Sequence, residues 1–333
     1  MDMERTDLPK ILVIHQGALG DVVLSFPALS ALRQERGAAL ALLCKNQVGK
    51  IAKELRVVDA HFPVESARFC RLFSDDLGRE IKDFINQYDT VFYIGFSKDL
   101  ESHIKQNHSG QTFRVPPRPP AGHETHVAAH MMTQMQAGGL SKSTPDLGLS
   151  SLNTSSIFFQ KKNLPPDQKN LVIIHPGAGS QRKRWPLENF IEVAYAMREM
   201  DFAKAVFLIG PSELDLFYLI KSRAQGQFEV RGVEDLSTVL SLTKACKCFI
   251  GNDSGLAHLA AFVGLPTVAI FGPSNPKRWA PVGHATKVLR GETDCSPCFE
   301  VAKTNCENPQ CLEGVSVEMV LEAVGDLQYP QPK

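Results

Sequence analysis

The sequence predicts an α/β protein of two Rossmann-like domains, each built on a parallel sheet. Three observations predict it. Strand-like apolar runs alternate with helical patterns along most of the chain, the alternation restarts at a fresh strand near residue 171, and in each half the first strand runs into a glycine-bearing turn. At 333 residues the chain is too long for one comfortable core and suits two domains of roughly 100–200 residues each. Hydrophobic residues at 43% and charged residues at 22% give an ordinary globular balance, which excludes disordered and fibrous classes.

In the first half a strand is expected at 11–14, an amphipathic helix at 22–36, strands at 39–43 and 90–94, and a helix at 77–87. The run Arg114-Val-Pro-Pro-Arg-Pro-Pro-Ala-Gly122 then interrupts the pattern, because proline removes donors and restricts the residue before it. A helix at 123–137 and a Ser/Thr-rich stretch at 141–156 follow, and Asn-Leu-Pro-Pro-Asp before the next strand marks a boundary near 161–170. The second series has strands at 171–174, 205–209, 248–250 and 267–271, with helices at 187–200, 236–245 and 256–263. The expected domains are therefore 1–165 and 166–315, with a last helix and tail at 316–333 packing back on the first domain.

Lys plus Arg and Asp plus Glu both number 36, so no global field draws the protein to nucleic acid or to an anionic membrane, and an anionic ligand must be met by a local cluster. The first ten residues mix both charge signs, unlike a signal peptide, and no apolar run reaches the roughly 18 residues of a membrane span. A cytoplasmic location is expected. Eight cysteines in such a chain point to reduced thiols rather than a disulfide framework.

Three turns carry chemistry. Gly17-Ala-Leu-Gly20-Asp21 joins a strand to a helix, where Asp21 either caps the helix or, at the carboxyl end of a first strand, serves as a catalytic base. His175-Pro-Gly-Ala-Gly-Ser-Gln-Arg-Lys-Arg-Trp-Pro186 is richer. Small residues from Gly177 through Gly179 and Ser180 free backbone N–H groups beside Arg182, Lys183 and Arg184, the means of holding a diphosphate without a metal. In Gly251-Asn-Asp-Ser-Gly-Leu-Ala-His258, Asp253 or Ser254 would cap a helix, Ser254 and Gly255 would turn N–H groups toward a phosphate, and His258 would lie one turn in.

Other candidates fit less well. His123-Glu-Thr-His126 is one residue short of the zincin spacing, and His126 with His130, at i and i+4, reads more simply as a polar helix surface. Cys295, Cys298, Cys306 and Cys311 supply four thiols for a tetrahedral metal, but their second pair lacks the CxxC spacing, so no metal is expected.

Taken together, these segments resemble the lipopolysaccharide heptosyltransferases, glycosyltransferase family 9. The resemblance rests on Gly-Ala-Leu-Gly-Asp-Val-Val with Pro27-Ala-Leu, His-Pro-Gly-Ala-Gly-Ser with Lys183-Arg-Trp-Pro, Gly-Asn-Asp-Ser-Gly-Leu-Ala-His with Phe271-Gly-Pro-Ser, and the Cys-Ser-Pro-Cys tail. It implies a glycosyltransferase-B fold, two Rossmann-like domains facing a central cleft, with the acceptor on the first domain and ADP-heptose on the second. It also implies inverting transfer of heptose to the lipopolysaccharide inner core, with no cofactor or metal. The partners implied are the nucleotide-sugar donor and a lipid A–Kdo acceptor met at the cytoplasmic face of the inner membrane. By resemblance Asp21 is the general base, Lys183 binds the diphosphate, Asp253, Ser254, Gly255 and His258 form the donor segment, and Glu213 holds the ribose. The chain departs from many relatives in carrying His15-Gln16 where they have an arginine. Alternatives are a same-fold transferase with another nucleotide sugar or acceptor, a sugar-nucleotide 2-epimerase, and a nucleotide-sugar-binding protein without turnover.

Overall fold

The structure is a computed structural model that describes residues 8–74, 76–138, 170–299, 306 and 309–328. The Ser/Thr-rich stretch and the expected boundary near 165 lie outside the described residues. The chain divides into two compact units, Met1–Gly148 and Leu149–Lys333.

The first unit contains β1 (Lys10–His15), α1 (Leu19–Arg36), β2 (Ala39–Cys44), α2 (Asn46–Glu54), β3 (Ala60–Pro63), α3 (Gly78–Ile85), β4 (Thr90–Ile94), α4 (Lys98–Asn107), β5 (Gln111–Val115) and α5 (Val127–Ala137). Its five strands are all parallel in the order β3-β2-β1-β4-β5, with Ile11 opposite Leu40 on one side and Thr90 on the other. A strand covered on both faces needs apolar residues throughout, and the inner strands β1, β2 and β4 supply them. On one face Leu12, Ile14, Leu43, Tyr93, Phe69 and Phe84 form a single buried cluster.

The elements that the periodicity missed are peripheral. β3 and β5 are edge strands, the first ending in Pro63 and only half-buried, the second alternating polar and apolar residues. α4 buries only Leu100 and Ile104, and its N-terminus is set by Ser97, whose hydroxyl accepts from the Leu100 N–H.

The second unit contains β6 (Leu171–His175), α6 (Leu187–Glu199), β7 (Lys204–Ile209), α7 (Leu214–Arg223), β8 (Glu229–Gly232), α8 (Leu236–Thr243), β9 (Cys246–Asn252), α9 (Gly255–Phe262), β10 (Thr267–Ile270), α10 (Pro276–Trp279), β11 (Thr286–Leu289), α11 (Gln310–Glu313) and α12 (Val317–Gln328). Its six strands are also parallel, ordered β11-β10-β9-β6-β7-β8.

The terminal helix α12 packs on α6, β10 and β11, and Val317, Val320, Ala323 and Val324 are buried in the second unit's core with Phe190, Phe207 and Trp185. Its apolar residues recur at three- and four-residue spacing, which gives one stripe, and that stripe completes the layer covering the sheet.

Both sheets reverse their strand order at their first strand, between β1 and β4 and between β6 and β9. At such a switch point the connections leave to opposite sides and open a crevice at the carboxyl ends of the strands, the usual place for a ligand. The three motif turns follow β1, β6 and β9.

Candidate active site

In the first unit the β1–α1 turn is held by its own side chains. His15, 1% exposed, accepts the Gly17 N–H on Nδ1 at 3.0 Å, so the ring proton sits on Nε2, which is buried without a partner. Burial lowers the His15 pKa to about 4, against the opposing pull of Asp21, and the ring is neutral at pH 7. Gly17 has no room for a side chain: a Cβ would lie 2.6 Å from His15 Cε1 and 2.7 Å from Asp21 Cβ. Asp21 sits in the first turn of α1 and its Oδ2 accepts the Ala18 N–H at 3.0 Å. It is therefore a cap through one oxygen, and among the described residues it forms no ion pair.

The second unit brings together residues far apart in sequence. Lys183 Nζ donates to Asp253 Oδ2 at 2.7 Å, and His258 Nε2 lies 3.7 Å from Asp253 Oδ1. Burial would raise the Asp253 carboxyl, but His258 and Lys183 outweigh it and hold the group well below the usual carboxylate range. His258 Nδ1 is buried without a partner. Ser254 caps α9, its hydroxyl accepting from the Ala257 N–H at 3.3 Å, and Gly255 is the first helical residue, so the free N–H groups of this terminus belong to the same cluster.

Asn252 joins the two loops and was not singled out from sequence. It is fully buried; Nδ2 donates to the Pro176 carbonyl at 2.8 Å, and Oδ1 accepts the Trp185 N–H at 2.9 Å. One amide therefore clamps both ends of the glycine-rich cationic loop. The Trp185 indole N–H in turn donates to the Val315 carbonyl at 3.0 Å. Inside the loop, Ser180 Oγ accepts from the Arg182 N–H and caps the short 3-10 turn Gln181–Lys183, while Gly179 is exposed with open space where a side chain would be.

Glu213 is 4% exposed and its Oε2 accepts the Gly210 N–H at 3.0 Å. Its carboxylate lies against Gly177, where a Cβ would meet Oε1 at 1.9 Å, so glycine there is a packing requirement. His175 supports this corner: Nδ1 donates to the Leu208 carbonyl at 2.8 Å, and burial lowers its pKa against the pull of Glu213.

The other cations are committed. Arg184 lies 3.5 Å from Asp215. With Gln181 and Arg182 it lines a cavity of about 270 Å³ that is also lined by Cys295, Cys298, Cys306 and Cys311. The four candidate thiols thus line one cavity, yet among the described residues no three His, Cys, Asp or Glu side chains are arranged to hold a metal ion. His123 and His126 precede α5 rather than lying within it; His126 is its N-cap, and His130 Nε2 donates to the Pro116 carbonyl at 3.1 Å.

Residues 94–308, well over half of the chain, match the family model described as glycosyltransferase family 9 (heptosyltransferase). The chain belongs to glycosyltransferase family 9. Among similar proteins, lipopolysaccharide heptosyltransferase 2 of Escherichia coli is 32% identical over 130 residues, covering 37% of each chain. Lipooligosaccharide heptosyltransferase 2 of Campylobacter jejuni is 27% identical over 183 residues, 52% of this chain and 56% of that one. The matched stretches therefore span less than two thirds of these relatives. Solved structures match nearly end to end. The family 9 glycosyltransferase from Veillonella parvula aligns with a TM-score of 0.76 and 21% identity over 98% of both chains. E. coli ADP-heptose heptosyltransferase II aligns with a TM-score of 0.70 and 20% identity over 96% of this chain and 98% of that one. This likeness shows the fold, that of a family 9 glycosyltransferase with two parallel sheets.

Proposed function

We propose that this family 9 protein transfers a heptose from ADP-heptose to a hydroxyl of the lipopolysaccharide inner core, with inversion at the anomeric carbon. The observation that carries the proposal is the second unit's cluster of Lys183, Asp253 and His258 at the amino end of α9, beside a loop rich in free N–H groups. A diphosphate is the ligand that needs a mobile ammonium, a helix N-terminus and close backbone approach together. Family membership and the heptosyltransferase names of the similar proteins support the reading of heptose as the sugar and a lipopolysaccharide core as the acceptor.

In this reading Lys183 turns from Asp253 to the diphosphate, and Asp253 stays as its permanent anionic anchor. Glu213, anchored by the Gly210 N–H, offers its other oxygen to the ribose hydroxyls. Asp21 accepts the proton of the acceptor hydroxyl through Oδ1 as that oxygen attacks, while Ala18 N–H fixes Oδ2. As ADP leaves, charge builds on the β-phosphate, and Lys183 with the α9 terminus stabilises it most in the transition state. As in inverting glycosidases, a single displacement needs a base for the attacking hydroxyl and no covalent intermediate; the second carboxyl, their general acid, is not needed here because ADP leaves as an anion. The cations are the chain's own, so a chelator should leave the rate unchanged; a rate restored by added divalent cation would refute this step.

Among the described residues no helix is long and apolar enough to cross a membrane, and on this reading the protein meets its lipid acceptor peripherally, at the cytoplasmic face of the inner membrane. The deciding experiment is mass spectrometry of the protein incubated with ADP-heptose and lipid A–Kdo, with and without a first heptose. A gain of one heptose on one acceptor is expected. No gain on either, alongside turnover of another nucleotide sugar or acceptor, would refute the assignment within the same fold; donor conversion without any acceptor would indicate an epimerase.

A further inference from the structure

Two cations of the glycine-rich loop, Lys183 and Arg182, share one aromatic face. Lys183 Nζ lies 4.4 Å from the ring centroid of Phe299, and Arg182 Cζ lies 5.6 Å from it. Phe299 remains 36% exposed, so its ring is not consumed by core packing.

The ring is held by its backbone. The N–H groups of Cys298 and Phe299 both donate to the Pro273 carbonyl at 2.9 Å. Ser296 Oγ donates to the Gly272 carbonyl at 2.8 Å, and Arg290 donates to the Ser296 carbonyl. Arg182 Nη2 meets Cys298 Sγ at 3.7 Å. The segment 296–299 is thereby pinned to the turn after β10, the strand next to β9, which leads into Asp253.

The Lys183 ammonium therefore sits between two attractions of different kind. Asp253, at 2.7 Å, carries a full negative charge and competes with any incoming phosphate for the ammonium. The Phe299 face attracts the cation through its quadrupole but carries no net charge, so it holds the ammonium in place without neutralising it. A lysine side chain has four rotatable carbons and loses much rotamer freedom when fixed. A ring that restricts it beforehand reduces what the ligand must order.

We propose that Phe299 is a positioning residue of the donor site, holding Lys183 and Arg182 ready for the diphosphate against the pull of Asp253. The proposal rests on the reading of this loop as the diphosphate site. It adds to that site an element of the cysteine-rich segment, whose CxxC-Phe run had no role in the sequence reading.

The test measures ADP affinity by calorimetry on the full chain for Phe299→Leu, Phe299→Trp and Lys183→Ala. Thermal midpoints are recorded alongside as a control for packing. Phe299→Leu keeps an apolar side chain but loses the quadrupole, and ADP affinity should fall on the order of three- to tenfold. Phe299→Trp should bind within about twofold of the parent, since indole is the stronger cation partner. Should the leucine variant fail to fold, fluorinated phenylalanines placed at 299 keep the shape and remove the quadrupole stepwise, and affinity should fall with each added fluorine. Parental affinity in Phe299→Leu or across the fluorination series overturns the proposal, as does an equal loss in the leucine and tryptophan variants. If Lys183→Ala weakens ADP while the Phe299 changes do not, only the aromatic platform fails. Unchanged affinity in Lys183→Ala removes the diphosphate reading itself.

Discussion

Each unit ends its first strand in a buried histidine, His15 in one and His175 in the other, and beside each lies a glycine that cannot carry a side chain, Gly17 because the His15 ring and Asp21 Cβ fill the space and Gly177 because the Glu213 carboxylate does. There the two turns part. In the first unit the acidic group is Asp21, partly exposed and bonded through one oxygen only. In the second, Glu213 and Asp253 are both buried, and Asp253 is locked between Lys183 and His258. A group that must take up a proton needs an open oxygen and no permanent cation. A group that must stay anionic to steady a lysine needs the reverse. On the proposed reading the carboxylates near the two turns serve acid–base work in the first unit and charge-holding in the second, set by which neighbours each sequence supplies.

The largest effect expected from this contrast is on Asp21. Asp21→Asn preserves the cap but removes the base, so kcat should fall by about 10²–10⁴-fold with ADP affinity unchanged. Single-turnover rates and calorimetry on the same preparation check it, and near-normal turnover would dissolve the contrast. Lys183→Ala should act oppositely in kind, weakening ADP binding by about 1.5–3 kcal/mol, the worth of a charged hydrogen bond. It also leaves Asp253 buried with His258 alone, so a drop in thermal midpoint should accompany it. Gly177→Ala forces a methyl group onto the Glu213 carboxylate and should cost about 1–3 kcal/mol of stability, read from urea midpoints.

The smallest effect is a pH slope. His15 is depressed from 6.5 to about 4, so between those values the unfolded chain binds a proton that the folded one refuses, and stability falls as pH falls through that window. His175 is shifted in the same direction and adds to the decline. Asp253, also depressed, contributes stability that is present above the ordinary carboxyl pKa and lost only at more acid pH. His15→Asn keeps an acceptor for the Gly17 N–H and removes one titration. Urea midpoints between pH 7 and 4 should therefore decline less steeply, by up to about 1.4 kcal/mol per pH unit. An unchanged slope would show that His15 is not held neutral.

Most of the inner sheet could be read from the sequence because fully covered strands declare themselves as unbroken apolar runs; 90–94 matches β4, and 171–174 falls one residue short of β6. The edges could not, since β3, β5 and β11 are half-exposed and carry mixed residues. The cationic loop after β6 was legible for a similar reason, its glycines and cations being contiguous. Asn252 and Phe299 were not, because their roles depend on loops about 70 and 115 residues away in the chain, and no local pattern encodes that pairing. Gly177 held a usable signal, a glycine not explained by its turn, though only the fold reveals that Glu213 fills its space. For the terminal helix, an amphipathic stripe states that it must be covered without stating by what, and the cover in the second unit is α6 with β10 and β11.

That helix bears on how the protein could be re-engineered. α12 closes the core beneath α6, and the Val315 carbonyl just before it receives the Trp185 indole at the end of the cationic loop. The second unit is therefore a cassette that runs to residue 328 rather than stopping at the last strand. A chimera that grafts a new first unit should carry the whole of 170–328 across, and one cut before 315 would lose both the lid of its core and the anchor of its loop.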